Sequence, residues 1–447
     1  MATVQALTVR AGRRAEGWLL VIAVAIGVTA RGLVDFNAGT GVGVGLAVYA
    51  GALSLVAIAA HTVVRIFTPS ADPVLLPAVL GLNALGLALI HRIDLAYAAK
   101  GKHTDYATGQ TLWALVGIAL ALTLVALLKD HRLLRRYTYT AGVAGLVLLM
   151  LPLMPGLGRS ANGAKIWISV AGYTMQPGEF AKVFFVIFFA GYLVTNRETL
   201  ALAGPSFMGL RFPRARDLGP ILIVWVAALI VQVYQRDLGA SLLFFGIFVA
   251  MLYVATERIS WVIVGLGLFL AGAVAAGAVF GHVAARYDAW LHALDPDLIA
   301  TVSYQVVQGL FGMASGGLFG TGLGDGSPGL IPYAESDFIV AALGEELGLT
   351  GFLAVLTLYV IIVQRAMRSA IGVRDGFGKL LATGLGFALA LQVFVVVGGV
   401  TRVIPLTGIT TPFLAQGGSS LIANWLVVGL LLRISDQARR SAGEVTP

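Results

Sequence analysis

The 447 residues include no cysteine. Structural disulfides, thiolate catalysis and Cys-ligated metals are therefore excluded. Histidine is scarce, with six in the chain, none at metal-binding spacing, and there is no HExxH string. Walker A and strand-to-helix GxGxxG motifs are also absent, so direct use of ATP or a dinucleotide has no support. Charge is the most telling shortage. Asp, Glu, Lys and Arg make up 12% of the chain, against roughly 25% in a soluble protein. That is too little to cover several globular domains with a polar surface.

What is present is apolar sequence: 58% hydrophobic residues and a mean hydropathy of +0.89. The expected class is an all-α polytopic membrane protein of about twelve spans, each needing roughly 20 residues. The 56 glycines suit close approach of membrane helices. Apolar runs place spans near 18–34, 42–67, 74–90, 106–128, 137–154, 180–194, 218–235, 238–255, 261–283, 338–367, 377–401 and 411–432. The first run follows Arg10, Arg13 and Arg14 and ends near Val28-Thr29-Ala30, so it also has the form of a secretory signal. It is read as a retained anchor.

A cytoplasmic N-terminus sorts the charges. Basic clusters at Lys129, Arg132, Arg135 and Arg136, at Arg197, Arg211, Arg214 and Arg216, and at Arg365, Arg368, Arg374 and Lys379 then fall inside. Segment 284–337 falls outside with one base, Arg286, against Asp288, Asp295, Asp297, Asp325, Glu335 and Asp337. This is the positive-inside pattern. The net charge of +8 is read as facing anionic lipid rather than nucleic acid. Both termini are expected in the cytoplasm, with 1–17 and 435–447 as polar ends and the tail beyond Arg433 disordered.

Polar residues concentrate in three places. The first runs from Arg159 through Lys165 and Trp167 to Glu179 and Lys182. Glu179 and Lys182 lie three apart and share a helix face behind Pro177. They serve either as an interfacial ion pair or as functional groups. The second, Gln235-Arg236-Asp237, reads as a tight turn whose charges cap two helices. The third joins the outside loop to the spans after it. It contains Asp295-Pro296-Asp297, Tyr304, Gln305 and Gln308, a run of Gly-rich turns, Asp337, and Glu345 and Glu346. Arg402 and Gly417-Gly418-Ser419-Ser420 follow, as a phosphate cradle or as a small-residue packing face.

In this order the segments resemble the shape, elongation, division and sporulation (RodA/FtsW/SpoVE) family, nearest to its actinobacterial elongation branch. The matching strings are NGAKIWI and QPGEFAK within 162–182, QRDLGAS at 235–241, SYQVVQGLFGMASGGLFGTGLG at 303–324, SDFIVAALGEELGLTG at 336–351 and IPLTGITTPFLAQGGSS at 404–420. The resemblance implies a ten-helix glycosyltransferase core at 74–434, two extra N-terminal helices within 18–73, and a catalytic outside loop at 284–337. It also implies polymerisation of lipid II on the outer face of the cytoplasmic membrane, beside a class B penicillin-binding protein, for elongation or division. The family's essential aspartate maps to Asp295, which precedes a proline, or to Asp297, which fits the spacing to Tyr304. Lys165, Glu179, Lys182, Tyr304, Gln305, Asp337, Glu345, Glu346, Arg402, Ser419 and Ser420 are the expected substrate-binding set, and Mg²⁺ or Mn²⁺ a possible companion. The chain departs from the family at Arg236 (usually Pro), Gly178 (Ser), Glu335 (a nearby His), Ala415-Gln416 (Ser-Tyr) and beside Lys165 (an Arg). A lipid II flippase and a non-catalytic scaffold for the transpeptidase are the competing readings.

Overall fold

The computed structural model describes residues 2–161, 163–170, 172–201, 206–207, 210–211 and 215–443. Sixteen α-helices carry the fold: α1 (Ala2–Asn37), α2 (Val44–Phe67), α3 (Leu75–Ala98), α4 (Tyr106–Leu127), α5 (Thr138–Met150), α6 (Pro177–Thr195), α7 (Arg197–Ala201), α8 (Ala215–Gln235), α9 (Leu238–Thr256), α10 (Ser260–Val279), α11 (Gly281–Leu291), α12 (Pro296–Ile299), α13 (Tyr304–Gly316), α14 (Ile339–Gly372), α15 (Gly376–Val400) and α16 (Gly418–Gly443). Eleven helices among the described residues are long and apolar enough to cross a membrane, and Gly219–Gln235 is a shorter apolar one. They overlap the expected span positions, the last beginning at Gly418 rather than near 411. The chain is a multi-pass membrane protein.

Two differences from the sequence reading concern ends. The expected disordered tail is helical as far as Gly443. The span expected at 137–154 begins as a 3₁₀ helix at His131–Tyr137 and closes as another at Leu151–Leu153. Between α5 and α6 a three-stranded antiparallel sheet forms, β1 (Gly158–Ala161), β2 (Ala164–Val170) and β3 (Tyr173–Met175). A two-stranded ladder, Ser206–Phe207 with Leu210–Arg211, lies between α7 and α8. Arg214 of the second basic cluster lies outside the described residues.

Burial separates centre from periphery. The apolar windows of α3 and α16 are 94% and 89% buried, whereas that of α10 is 6% buried, so α3 and α16 form the axis and α10 faces outward. Exposed Val44, Val274, Ile223 and Ile58 fit a hydrocarbon surround, where only backbone-satisfied helices are tolerated. α1 and α2 are docked on α3. Gly27 of α1 meets Ala84 of α3 too closely for any side chain, and Tyr49 of α2 donates to the Ala84 carbonyl at 2.9 Å.

Ion pairs tie the helix ends away from α6's N-terminus. Asp72 accepts from Arg439 at 2.9 Å and lies 3.6 Å from Arg365. Arg433 donates to the Phe67 carbonyl at 2.7 Å. His131 Nε2 and the Asp375 carboxylate are 2.9 Å apart.

The Gly-rich run after α13 also finds its reason here. α14 is broken at Gly348, whose φ is 64°, a left-handed conformation that glycine adopts freely. The segment after α13 fills the break: Thr321 and Gly322 amides donate to the Glu345 and Glu346 carbonyls at 3.0 Å each, and Leu349 and Thr350 amides donate to Gly317 and Leu318. Backbone groups released by the broken helix are thereby satisfied inside the protein, as a membrane interior demands.

Candidate active site at the cavity end

A cavity of about 730 Å³ lies where several helix ends converge. Its lining comes from the N-terminal ends of α6, α9 and α16, the C-terminal end of α15, the β-sheet, and the α11 to α14 region. Glycine makes part of this convergence possible. A side chain at Gly418 would strike the Trp113 ring, at 2.7 Å.

Pro177 occupies the first turn of α6, where its missing N–H costs nothing. The next turn places Glu179 and Lys182 on one face, both buried and both lining the cavity. Lys182 Nζ contacts Glu179 Oε2 at 3.0 Å, Gln392 Oε1 at 2.8 Å and Asn424 Oδ1 at 3.4 Å. An ammonium has three protons, and three acceptors hold them. Asn424 in turn donates to Ser420 Oγ at 3.2 Å, and Ser419 Oγ accepts from the Gln176 amide at 2.9 Å. Ser419 and Ser420 thus support the α6–α16 seam, and Gly417 and Gly418 form that part of the wall.

The lining also carries a carboxylate–guanidinium–carboxylate set. Asp237 caps α9, accepting from the Ala240 amide at 2.9 Å, as its place in the turn suggested, and it also lines the cavity. Arg286 of α11 donates to the Thr407 carbonyl at 3.2 Å and acts electrostatically on both Asp237 and Asp337. Burial raises the Asp237 carboxyl above its ordinary value, against the Ala240 amide and Arg286. Burial pushes Asp337 up to about 7, with the charge of Glu335 adding to it. Burial likewise lowers Arg286, opposed by the two aspartates. A carboxyl raised in the folded state binds more protons than in the unfolded chain, so stability falls as pH rises between its ordinary 3.8 and about 7. Asp337→Asn is expected to flatten that slope in thermal unfolding across this range. An unchanged slope would remove Asp337 as its source.

Of the expected set, Glu179, Lys182, Gln305, Asp337 and Arg402 line the cavity. Asp295 and Asp297 do not. Asp295 precedes α12 with its side chain 59% exposed and His292 Nδ1 at 3.6 Å; Asp297 is exposed in the first turn of α12. Both belong to the segment between the lining residues Trp290 and Val302. Lys165 is on β2 between the lining residues Ala164 and Ile166 but is not itself among them, and Tyr304 is 45% exposed beside the lining Gln305. Glu345 and Glu346 do not line the cavity. Glu346 pairs with Arg92 at 2.7 Å and accepts from the Gly324 amide at 3.1 Å, while Glu345 accepts from the Ser327 amide at 2.8 Å. They hold the Gly-rich segment against α14 and α3.

Sequence reasoning gave Asp237 and Arg236 only a capping role and treated Arg286 only as the lone base of an acidic segment. That isolation was the available signal. Arg236 has a φ of 60°, which a proline ring cannot reach, so the turn here cannot be the family's proline turn in the same conformation.

Fold and site together define a multi-pass helical membrane protein with a charged cavity at one end of the bundle, close to membrane helix ends and a small sheet. The "Cell cycle protein" family of FtsW, RodA and SpoVE matches residues 73–440, and the chain belongs to that family. Peptidoglycan glycosyltransferase RodA of Mycobacterium tuberculosis is 49% identical over 431 residues, covering 96% of this chain and 91% of that protein. A probable peptidoglycan glycosyltransferase FtsW of Trichlorobacter lovleyi is 33% identical over 81% of this chain and 93% of its own length. A solved structure described as the structural coordination of polymerization and crosslinking by a peptidoglycan synthase complex has a TM-score of 0.65 and 25% identity, covering 83% of this chain and 98% of that one. The family match begins at residue 73, so α1 and α2 lie outside it.

Proposed function

We propose that this chain joins lipid II units into glycan strands at the outer face of the cytoplasmic membrane, with both termini in the cytoplasm. The class of activity rests on kinship: 49% identity to RodA over nearly the whole chain makes it a peptidoglycan glycosyltransferase. The observation that supports the site is the cavity itself, which combines buried ions and cationic walls with a position among helix ends. A lipid headgroup can enter such a place while its tail stays in the bilayer.

The chemistry asked of it is displacement at an anomeric carbon bonded to diphosphate. The leaving group needs no proton, but its charge must be met. Arg159 and Arg236 line the cavity and suit that task better than Lys182, whose three protons are already held. A carboxylate on the α11–α13 segment, Asp295 or Asp297, takes the proton from the acceptor hydroxyl as its oxygen attacks. The new bond forms as the bond to undecaprenyl diphosphate breaks, with inversion. No three His, Asp or Glu side chains converge into a cation site among the described residues. Of the cavity carboxylates, Asp237 and Asp337 act on Arg286 and Glu179 pairs with Lys182.

By the same kinship we propose a class B penicillin-binding protein as partner. The test is polymer formation from purified lipid II, with and without that partner, and with labelled lipid II in vesicles. Glycan strands support the reading. Transfer of label across the bilayer without polymer would replace it with a flippase.

A further inference from the structure

Arg402 looks at first like a diphosphate ligand: it lines the cavity, in a segment with glycines and hydroxyls. Its hydrogen bonds point elsewhere. Arg402 Nε donates to the Trp290 carbonyl at 2.9 Å and its terminal nitrogen to the Leu291 carbonyl at 3.4 Å. Trp290 Nε1 donates back to the Arg402 carbonyl at 3.0 Å. The two residues therefore hold each other through main chain and side chain at once, across 112 positions of sequence.

Three further observations give this contact a direction. First, the carbonyls that Arg402 takes are at the C-terminal end of α11. A helix leaves its last carbonyls without partners, and a cation there is favoured by the helix dipole. Second, Arg402 has a φ of 61°. A left-handed backbone is unfavourable for a residue with a long side chain and persists where its surroundings over-determine it. Third, a second arginine makes a parallel link between the same two elements, Arg286 of α11 to the Thr407 carbonyl. The segment carrying Asp295 and Asp297 begins directly after α11. Its backbone hydrogen bonds are local turns within 292–303, and Asp295 is 3.6 Å from an exposed His292.

We infer that Arg402 is a positioning residue. With Trp290 it latches the end of α11 to the α15–α16 connection, and so sets where the segment bearing Asp295 and Asp297 stands relative to the cavity. This rests on the reading that one of those aspartates is the base. Placement of a reacting group matters steeply: a shift of about 1 Å can cost on the order of 10²-fold in rate.

Three variants test it: Arg402→Gly, Arg402→Lys and Trp290→Phe. Glycine suits the left-handed backbone, so Arg402→Gly removes the latch while easing the main chain. Lysine keeps the charge but not the planar fork that reaches two carbonyls. Phenylalanine removes only the indole N–H. Each purified variant is followed by polymerisation kinetics with lipid II, by hydrogen–deuterium exchange of 288–303, and by thermal unfolding.

The expected result is faster exchange in 288–303 in all three variants. kcat should fall by about 10²-fold in both Arg402 variants and severalfold in Trp290→Phe, with KM near wild type and melting temperature not lowered in Arg402→Gly. Raised KM with unchanged exchange, restored by lysine, would make Arg402 a substrate ligand and overturn the inference. So would unchanged kinetics. A loss of activity matched by a lower melting temperature in Trp290→Phe, without local exchange, would reduce the contact to general packing and overturn it too. Exchange needs no turnover: a latch that opens as expected while Asp295→Ala and Asp297→Ala both polymerise normally would fault the base assignment and leave the latch standing.

Discussion

Replacing the base proposed at Asp295 or Asp297 with alanine is expected to lower glycan-strand synthesis by about 10²–10⁴-fold, the range a positioned general base contributes. The two single variants and the double are needed. The chain places Asp295 just before α12 and Asp297 in its first turn, so both sit on the same short element, and their separate effects identify which one works. Lipid II binding should survive in the defective variant, because neither carboxylate lines the cavity. Normal polymerisation by all three variants would end the assignment and pass the role to a carboxylate that does line the cavity, Asp237, Asp337 or Glu179. Radiolabelled strand synthesis at saturating lipid II makes the measurement.

The second large effect is expected at Lys182. Lys182→Met leaves the Glu179 carboxylate, the Gln392 carbonyl oxygen and the Asn424 carbonyl oxygen without the ammonium that joins them. Breaking a buried pair by removing one partner costs about 3–5 kcal/mol, because a charge remains unpaired in a poor solvent for it. Lys182 is 2% exposed, so water replaces its ammonium poorly. Activity should be lost along with thermal stability, since Glu179 and Lys182 form part of the cavity wall. The double variant Glu179→Gln with Lys182→Met should recover stability over the single without recovering activity. Thermal unfolding of the three proteins in detergent decides it. Equal stability of the single and double variants would mean that the unpaired Glu179 charge is not what the single variant suffers from.

Much of this protein was determined by the sequence alone. The membrane class followed from too little charge to cover a globular surface. The helix positions followed from long apolar runs, which have few alternatives when every backbone group must be satisfied within a span. The Glu179–Lys182 pair was legible because three-residue spacing on a helix is local geometry. The five motif strings marked the regions that build the site.

Tertiary structure decided what spacing cannot encode. Glu345 and Glu346 stand in an apolar helix exactly as functional carboxylates would, yet they serve Arg92 and the amides of the Gly-rich segment. Their partners lie 18 to 254 positions away, beyond any periodic signal. Asp237 does cap its helix, and the fold also places it in the cavity lining within the field of Arg286 from α11. Arg402 carries a charge suited to phosphate, and the fold turns that charge toward helix carbonyls. In each case the residue type states which interactions are possible, and the long-range packing of helix ends selects among them.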